Sequence, residues 1–265
     1  MRKIMFTLAA VLLIAAATAL PAAAITWGEP DTTHLNVGAM VVDWPDYGPW
    51  QWCSGTLIHP RVFLTAAHCT YDLAELGIER VWVSFERYAL ADGGLRLVEQ
   101  VITHPDFSWG ETDPHDVAVL ILAEPVTDIT PAPVADVGLL DELKKAGALR
   151  SGPTGAKFTN VGYGGSLSWP PHEIFYEDIR QVSVSEYIAL TKTHLHLSQN
   201  LNKDDGGTCF GDSGGPTLYT ASDGSEIVVA VVSTGDAACM STALNYRVDL
   251  PDALTFIQSA IAALE

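Results

Sequence analysis

The chain has 265 residues, 48% of them apolar, and carries 32 acidic against 14 basic side chains for a net charge of −18. That length supports a sizeable core in one or two domains. The acidic balance excludes a phosphate-tracking nucleic-acid surface and disfavours adsorption to anionic membranes.

The first 24 residues read as a secretory signal: a basic "MRK", the apolar "IMFTLAAVLLIAAATAL" and a small-residue "AAA" suited to a peptidase. Seventeen apolar-dominated residues stand at the short edge of a membrane span, and no later stretch matches them. A soluble exported protein is therefore expected, extracellular or periplasmic, with no stable membrane insertion after signal cleavage. Cutting after Ala24 would leave residues 25–265, with 12 basic and all 32 acidic side chains, and would expose Ile25 of "ITWG".

From there the chain alternates short apolar runs with turn residues. "VGAMVV", "SGTLI", "RVFLTAA", "RVWVSF", "LRLVEQVI", "DVAVLIL" and "KFTNVGYG" precede residue 165, and "DIRQVSVSEYI", "GPTLYT" and "EIVVAVVSTG" follow it. Valine, isoleucine, threonine and aromatics fill the runs, and Gly, Pro, Asp and Asn separate them, which predicts an all-β protein of barrels or a sandwich. Asp136–Arg150 reads as a short surface helix or irregular insert. "PDALTFIQSAIAALE" predicts a helix: Pro251 suits its start, and Leu254, Ile257, Ile261 and Leu264 recur near one face. No linker is visible, and two lobes meeting near residues 130–155 account for the pattern. The tryptophans show no spacing that demands a binding platform.

Cys53, Cys69, Cys209 and Cys239 form an even set, which in an oxidising compartment implies two disulfides in any of three pairings. Zinc is the competing use, but no C-x₂-C spacing supports it. His194 and His196 of "HLH" could share a strand face as metal ligands, yet no third ligand is evident. No metal and no cofactor are expected.

"GDSGG", Gly211 to Gly215, fits the G-x-S-x-G pattern of a nucleophile elbow. The α/β-hydrolase order needs a histidine after the serine, and all eight histidines precede Ser213. A base must come from upstream. His68 in "LTAAHC" and Asp116 at the head of "DVAVLIL" complete the order His–Asp–Ser, one of the convergent arrangements for acyl transfer. Serine hydroxyl is a poor nucleophile at neutral pH, histidine can take its proton, and a buried carboxylate fixes the imidazole tautomer. Asp113 is the competing acid, but only Asp116 directly precedes the apolar run.

With "LTAAHC", "DVAVLIL" and "TCFGDSGGP" in this order, the sequence resembles the trypsin/chymotrypsin-like serine proteases, and "NVGYGG" and "VVSTG" extend the resemblance over essentially all of residues 25–265. It implies two perpendicular six-stranded β-barrels with a C-terminal helix, and a secreted endopeptidase acting on protein or peptide substrates, monomeric and open to protein inhibitors. Carried over by motif, Ser213 is the nucleophile, His68 the general base and Asp116 its orienting carboxylate, with Gly211 and Ser213 as oxyanion-hole donors. Cys53 would pair with Cys69 and Cys209 with Cys239. The pocket would include Gly207, Thr208, Ser233 and Gly235, and Ser233 resembles the family serine that hydrogen-bonds near the catalytic aspartate. Glycine at 207, where trypsin-like members carry aspartate, implies a preference for uncharged, apolar side chains before the scissile bond. Asp204, Asp205 and Asp236 keep an Arg/Lys preference as the alternative. "ITWG" resembles the start of activated members, which implies a zymogen-like ion pair between the new Ile25 terminus and Asp212. A non-enzymatic binding module on the same scaffold is the competing function, and such modules commonly lack a triad member.

Overall fold

The computed structural model describes residues 25–152, 154–168, 173–203 and 205–264. The expected leader and Asp204 lie outside the described residues. The chain enters through β1 (Glu29–Pro30) and builds a first barrel from β2 (Val37–Trp44), β3 (Gly48–His59), β4 (Val62–Thr65), β5 (Val81–Ser84), β6 (Leu95–Thr103) and β7 (Ala118–Leu122). The antiparallel order β2-β3-β4-β7-β6-β5 closes through β2 and β5. Helix α1 (Leu139–Lys145) intervenes. A second set follows, comprising β8 (Lys157–Gly162), the small hairpin β9 (Ser166–Ser168) and β10 (Glu173–Phe175), β11 (Gln181–Leu190), β12 (His194–Ser198), β13 (Pro216–Thr220), β14 (Glu226–Gly235) and β15 (Thr242–Arg247). Here the order β11-β12-β15-β14-β13-β8 closes through β8 and β11, and β1 pairs with β11 at Gln181 and Val182. Helix α2 (Pro251–Ala262) ends the chain as expected.

The two-residue alternation of the strands explains why so many are buried on both sides. On β7, Leu120 and Leu122 enter the first barrel's core, while Val119 and Ile121 face the second barrel. There they join Val161, Leu218 and Val231, with Ala253 and Ile257 of α2 covering the seam. Each such aliphatic side chain contributes about 1.5–3 kcal/mol when fully buried. α2 thus presents Ala253, Ile257 and Ala260 to the seam, with Ile261 and Leu264 only partly buried against it. Asp252 in its first turn complements the helix dipole.

A buried polar cluster joins the barrels. Arg180 donates to Asp31 Oδ2 at 3.0 Å, to the carbonyls of Phe85 and Val37, and to the Tyr163 hydroxyl. Both charged side chains are nearly inaccessible, so removing either partner would leave an unpaired buried charge.

Candidate active site

β4 runs into a single 3₁₀ turn, Ala67–Cys69, which carries His68. Asp116 stands two residues before β7 and is wholly buried. The His68 backbone N–H donates to Asp116 Oδ1 at 2.9 Å, and His68 Nδ1 lies 2.9 Å from Oδ2. The Ser233 hydroxyl, from β14 of the other barrel, donates to Oδ2 as well. Burial raises the Asp116 pKa, but the His68 charge and hydrogen bonds together with the Ser233 bond outweigh it and hold the carboxyl below its ordinary value. The ring of Trp109 lies 5.2 Å from that of His68.

Ser213 sits in a turn seated on both barrels. Its carbonyl accepts from Ser54 N–H at 2.8 Å, and Gly214 N–H donates to the Val232 carbonyl at 2.7 Å. Gly214 has φ +78°, and a Cβ there would fall 2.1 Å from Thr65 Oγ1, so only glycine lets the turn descend this far. The Gly211 carbonyl is tied inward by Ser54 Oγ at 2.9 Å and Gln51 Nε2 at 3.1 Å. Cys53 is bonded to Cys69 and Cys209 to Cys239, closing loops at sequence separations of 16 and 30.

His68 and Ser213 wall two cavities. One, of about 300 Å³, runs past Thr208, Ser233 and Gly235. The other, of about 370 Å³, runs past Gly211, Trp50 and Trp52. Gly207 does not line either one. A Cβ on it would meet Gln199 Oε1 at 2.2 Å, because the buried Gln199 side chain fills the space behind it. Nothing in the sequence around Gln199 marks that role. Of the acids considered near the pocket, Asp205 is buried and accepts from Glu186 N–H. Asp236 does line the first cavity, but its oxygens accept from the N–H groups of Met240, Ser241 and Thr242.

In the structure the Ile25 nitrogen and the Asp212 carboxylate have different partners. The Ile25 backbone nitrogen donates to Gln181 Oε1 at 2.8 Å. Gln181 stands opposite Gly162 in the sheet, and a Cβ on Gly162 would fall 2.3 Å from Asp212 Oδ1. Asp212 is completely buried and accepts from Gly164 N–H and Cys209 N–H. Burial pushes its carboxyl up to about 7 against those two bonds.

Two groups among the described residues bring three metal-ligand atoms within 4.8 Å of one another. In Cys53, His68 and Cys69 the sulfurs are bonded to each other. In His104, His115 and Asp252, His104 Nδ1 accepts from Asp106 N–H, which keeps a neutral ring's proton on Nε2, facing Asp252 at 3.3 Å. His115, at φ +50°, is 2.9 Å from the same carboxylate. His194 and His196 are both partly buried on β12, and burial lowers the pKa of each. No helix among the described residues is long and apolar enough to cross a membrane.

Comparison with known proteins gives the same architecture. The family model described as Trypsin matches residues 31–253. Mouse (Mus musculus) "Tryptase" is 31% identical over 219 residues, covering 71% of this chain and 75% of its own. Mouse "Serine protease 28" is 27% identical over 230 residues, 79% of this chain and 75% of its own. The solved structure titled "HL collagenase" superposes with a TM-score of 0.68 at 22% identity, covering 90% of this chain and 99% of that one, a likeness of fold. With its two closed barrels and the matched segments, this chain belongs to the trypsin family of serine proteases.

Proposed function

We propose that the protein is a secreted, monomeric serine endopeptidase that cleaves proteins or peptides through His68, Asp116 and Ser213. The observation that carries this reading is the double contact of His68, backbone and ring, on the buried Asp116, beside cavities that His68 shares with Ser213. Ser213 Oγ attacks the carbonyl, and His68 Nε2 takes its proton and later returns it to the leaving amine. Asp116 stabilises the imidazolium that forms between those steps. Gly211 and Ser213 N–H groups receive the developing oxyanion, each such donor being worth about 3 kcal/mol. Water then repeats the cycle on the acyl-enzyme. Export is supported by the apolar leader and by two disulfides, which persist in oxidising compartments.

The side chain before the scissile bond enters the cavity beside Thr208, Ser233 and Gly235. Behind it Gln199 offers a neutral amide and Asp236 is engaged by backbone N–H groups, which favours uncharged side chains. A buried Arg or Lys would lack a free carboxylate there.

A fluorophosphonate should label the wild-type chain and leave Ser213→Ala unlabelled; equal labelling of both removes Ser213 from the mechanism, and no labelling of either favours a binding module. On chromogenic peptides varied before the scissile bond, uncharged residues should exceed Arg and Lys at least tenfold in kcat/KM. The reverse preference overturns the pocket assignment.

A further inference from the structure

The hairpin joining β2 to β3 carries three tryptophans and a tyrosine within nine residues, Trp44, Tyr47, Trp50 and Trp52. Its register pairs Trp44 with Gly48 and Val42 with Trp50. Two-residue alternation then puts Trp44, Trp50 and Trp52 on one face. The turn between them needs left-handed backbone at Asp46 (φ +67°) and Gly48 (φ +79°), and it brings Tyr47 round to the same hollow. Among the described residues, these four side chains line an open hollow of about 310 Å³. Trp44 and Trp52 stand 5.3 Å apart, while Tyr47 and Trp50 are 80% and 56% exposed. Trp44 and Trp52 pack against the first barrel's core, while the aromatic faces of Tyr47 and Trp50 held open to water beside them mark a recognition surface.

Two further observations say what fits it. Trp50 and Trp52 are also walls of the second cavity beside His68 and Ser213, so the box is continuous with the cleft. Under the proposed mechanism the first cavity takes the acyl side of the substrate, and the second therefore takes the residues after the scissile bond. The surroundings are acidic: Asp43, Asp46 and Glu79 line a hollow that shares Trp44 with the box. Arg80, 3.5 Å from Asp43, answers one of those three charges. Indole faces attract cations through their quadrupole, and a neighbouring carboxylate field adds to that attraction.

We infer that this aromatic box is a subsite for a lysine or arginine side chain on the leaving-group side of the substrate. The inference rests on the peptidase reading above and deepens it. It gives the enzyme two opposite preferences, uncharged before the scissile bond and cationic beyond it.

The test uses internally quenched peptides identical up to the scissile bond, with lysine, norleucine or glutamate at the second to fourth positions after it. A p-nitroanilide, which has no residue beyond the bond, serves as control. Lysine should exceed norleucine about tenfold in kcat/KM, and glutamate should be poorest. Tyr47→Ala should abolish most of the lysine advantage while p-nitroanilide hydrolysis stays unchanged, and Tyr47→Phe should retain it. Equal rates for lysine and norleucine, or a lysine advantage that survives Tyr47→Ala, overturn the subsite and leave the peptidase intact. Absence of both p-nitroanilide hydrolysis and fluorophosphonate labelling overturns the peptidase reading, and this inference with it.

Discussion

Asp116→Asn is expected to lower kcat by about four orders of magnitude, the loss that a triad of this kind suffers when its carboxylate becomes an amide. The geometry says why the loss should be so large without unfolding. Asp116 accepts three hydrogen bonds, from His68 N–H, His68 Nδ1–H and Ser233 Oγ–H. An asparagine oxygen can keep the backbone bond, but its NH₂ must then face Nδ1. That forces the ring to carry its proton on Nε2, where the base must be free. Steady-state kinetics with a denaturation curve on the same sample checks this. A loss under tenfold would mean that Asp116 does not orient the base. A loss matched by unfolding would place Asp116 in stability alone.

The second large effect concerns Ile25. A chain beginning at Ile25 should be active, and one retaining residues before it should be slower by roughly 10²–10³, the range of an uncompensated buried carboxylate. In the structure the Ile25 nitrogen donates to Gln181, and Asp212 is buried with backbone N–H donors. A free ammonium at Ile25 would offer this carboxylate a cation, and so hold the Gly211–Ser213 turn.

A pH signature accompanies it. The pKa of Asp212 rises from 3.8 to about 7 on folding, so the folded chain keeps a proton that the unfolded chain releases. Stability of the uncleaved chain should therefore fall as pH rises from about 4 to about 7, by roughly 4 kcal/mol at most. Urea midpoints on Ser213→Ala chains, which cannot digest themselves, would show the fall in the uncleaved form. It should be much reduced in the form cut before Ile25 and in Asp212→Asn. An active enzyme still bearing "AAA" before Ile25 would refute the pairing, as would a pH dependence unaffected by the cut.

How far the molecule is legible in its sequence depends on how local each feature is. The apolar runs become strands because valine and isoleucine alternate over pleated, doubly buried surfaces, as on β7. β15 escapes that pattern because "TALNYR" places Asn245 in the core and has one β-branched residue. His68, Asp116 and Ser213 each stand in a distinctive run, whereas the bond from Ser233 of the other barrel to Asp116 is readable only through the family resemblance of "VVSTG". Gln199 is invisible for a different reason. It matters only because Gly207, eight residues on, leaves room that a side chain must fill. The aromatic box falls between these cases. Trp50 and Trp52 share a face by simple alternation, but Trp44 joins them only through the register the turn sets, which pairs it with Gly48 and Val42 with Trp50. Spacing alone therefore missed it.

The bond from Arg180 to Asp31 has a consequence for the chain's beginning. Asp31 is anchored six residues after Ile25, and β1 at Glu29 and Pro30 holds the chain to β11 still closer to it. Nearer still, the Thr26 carbonyl accepts from Gly207 N–H at 2.9 Å and both Ile25 and Thr26 are buried, so a terminus cut free at Ile25 has only about 4 Å of chain beyond its last anchor. It searches a volume in which its effective concentration exceeds the millimolar range of ordinary flexible linkers. Insertion then requires little loss of chain freedom, and activation after the cut should be unimolecular, with a rate independent of protein concentration.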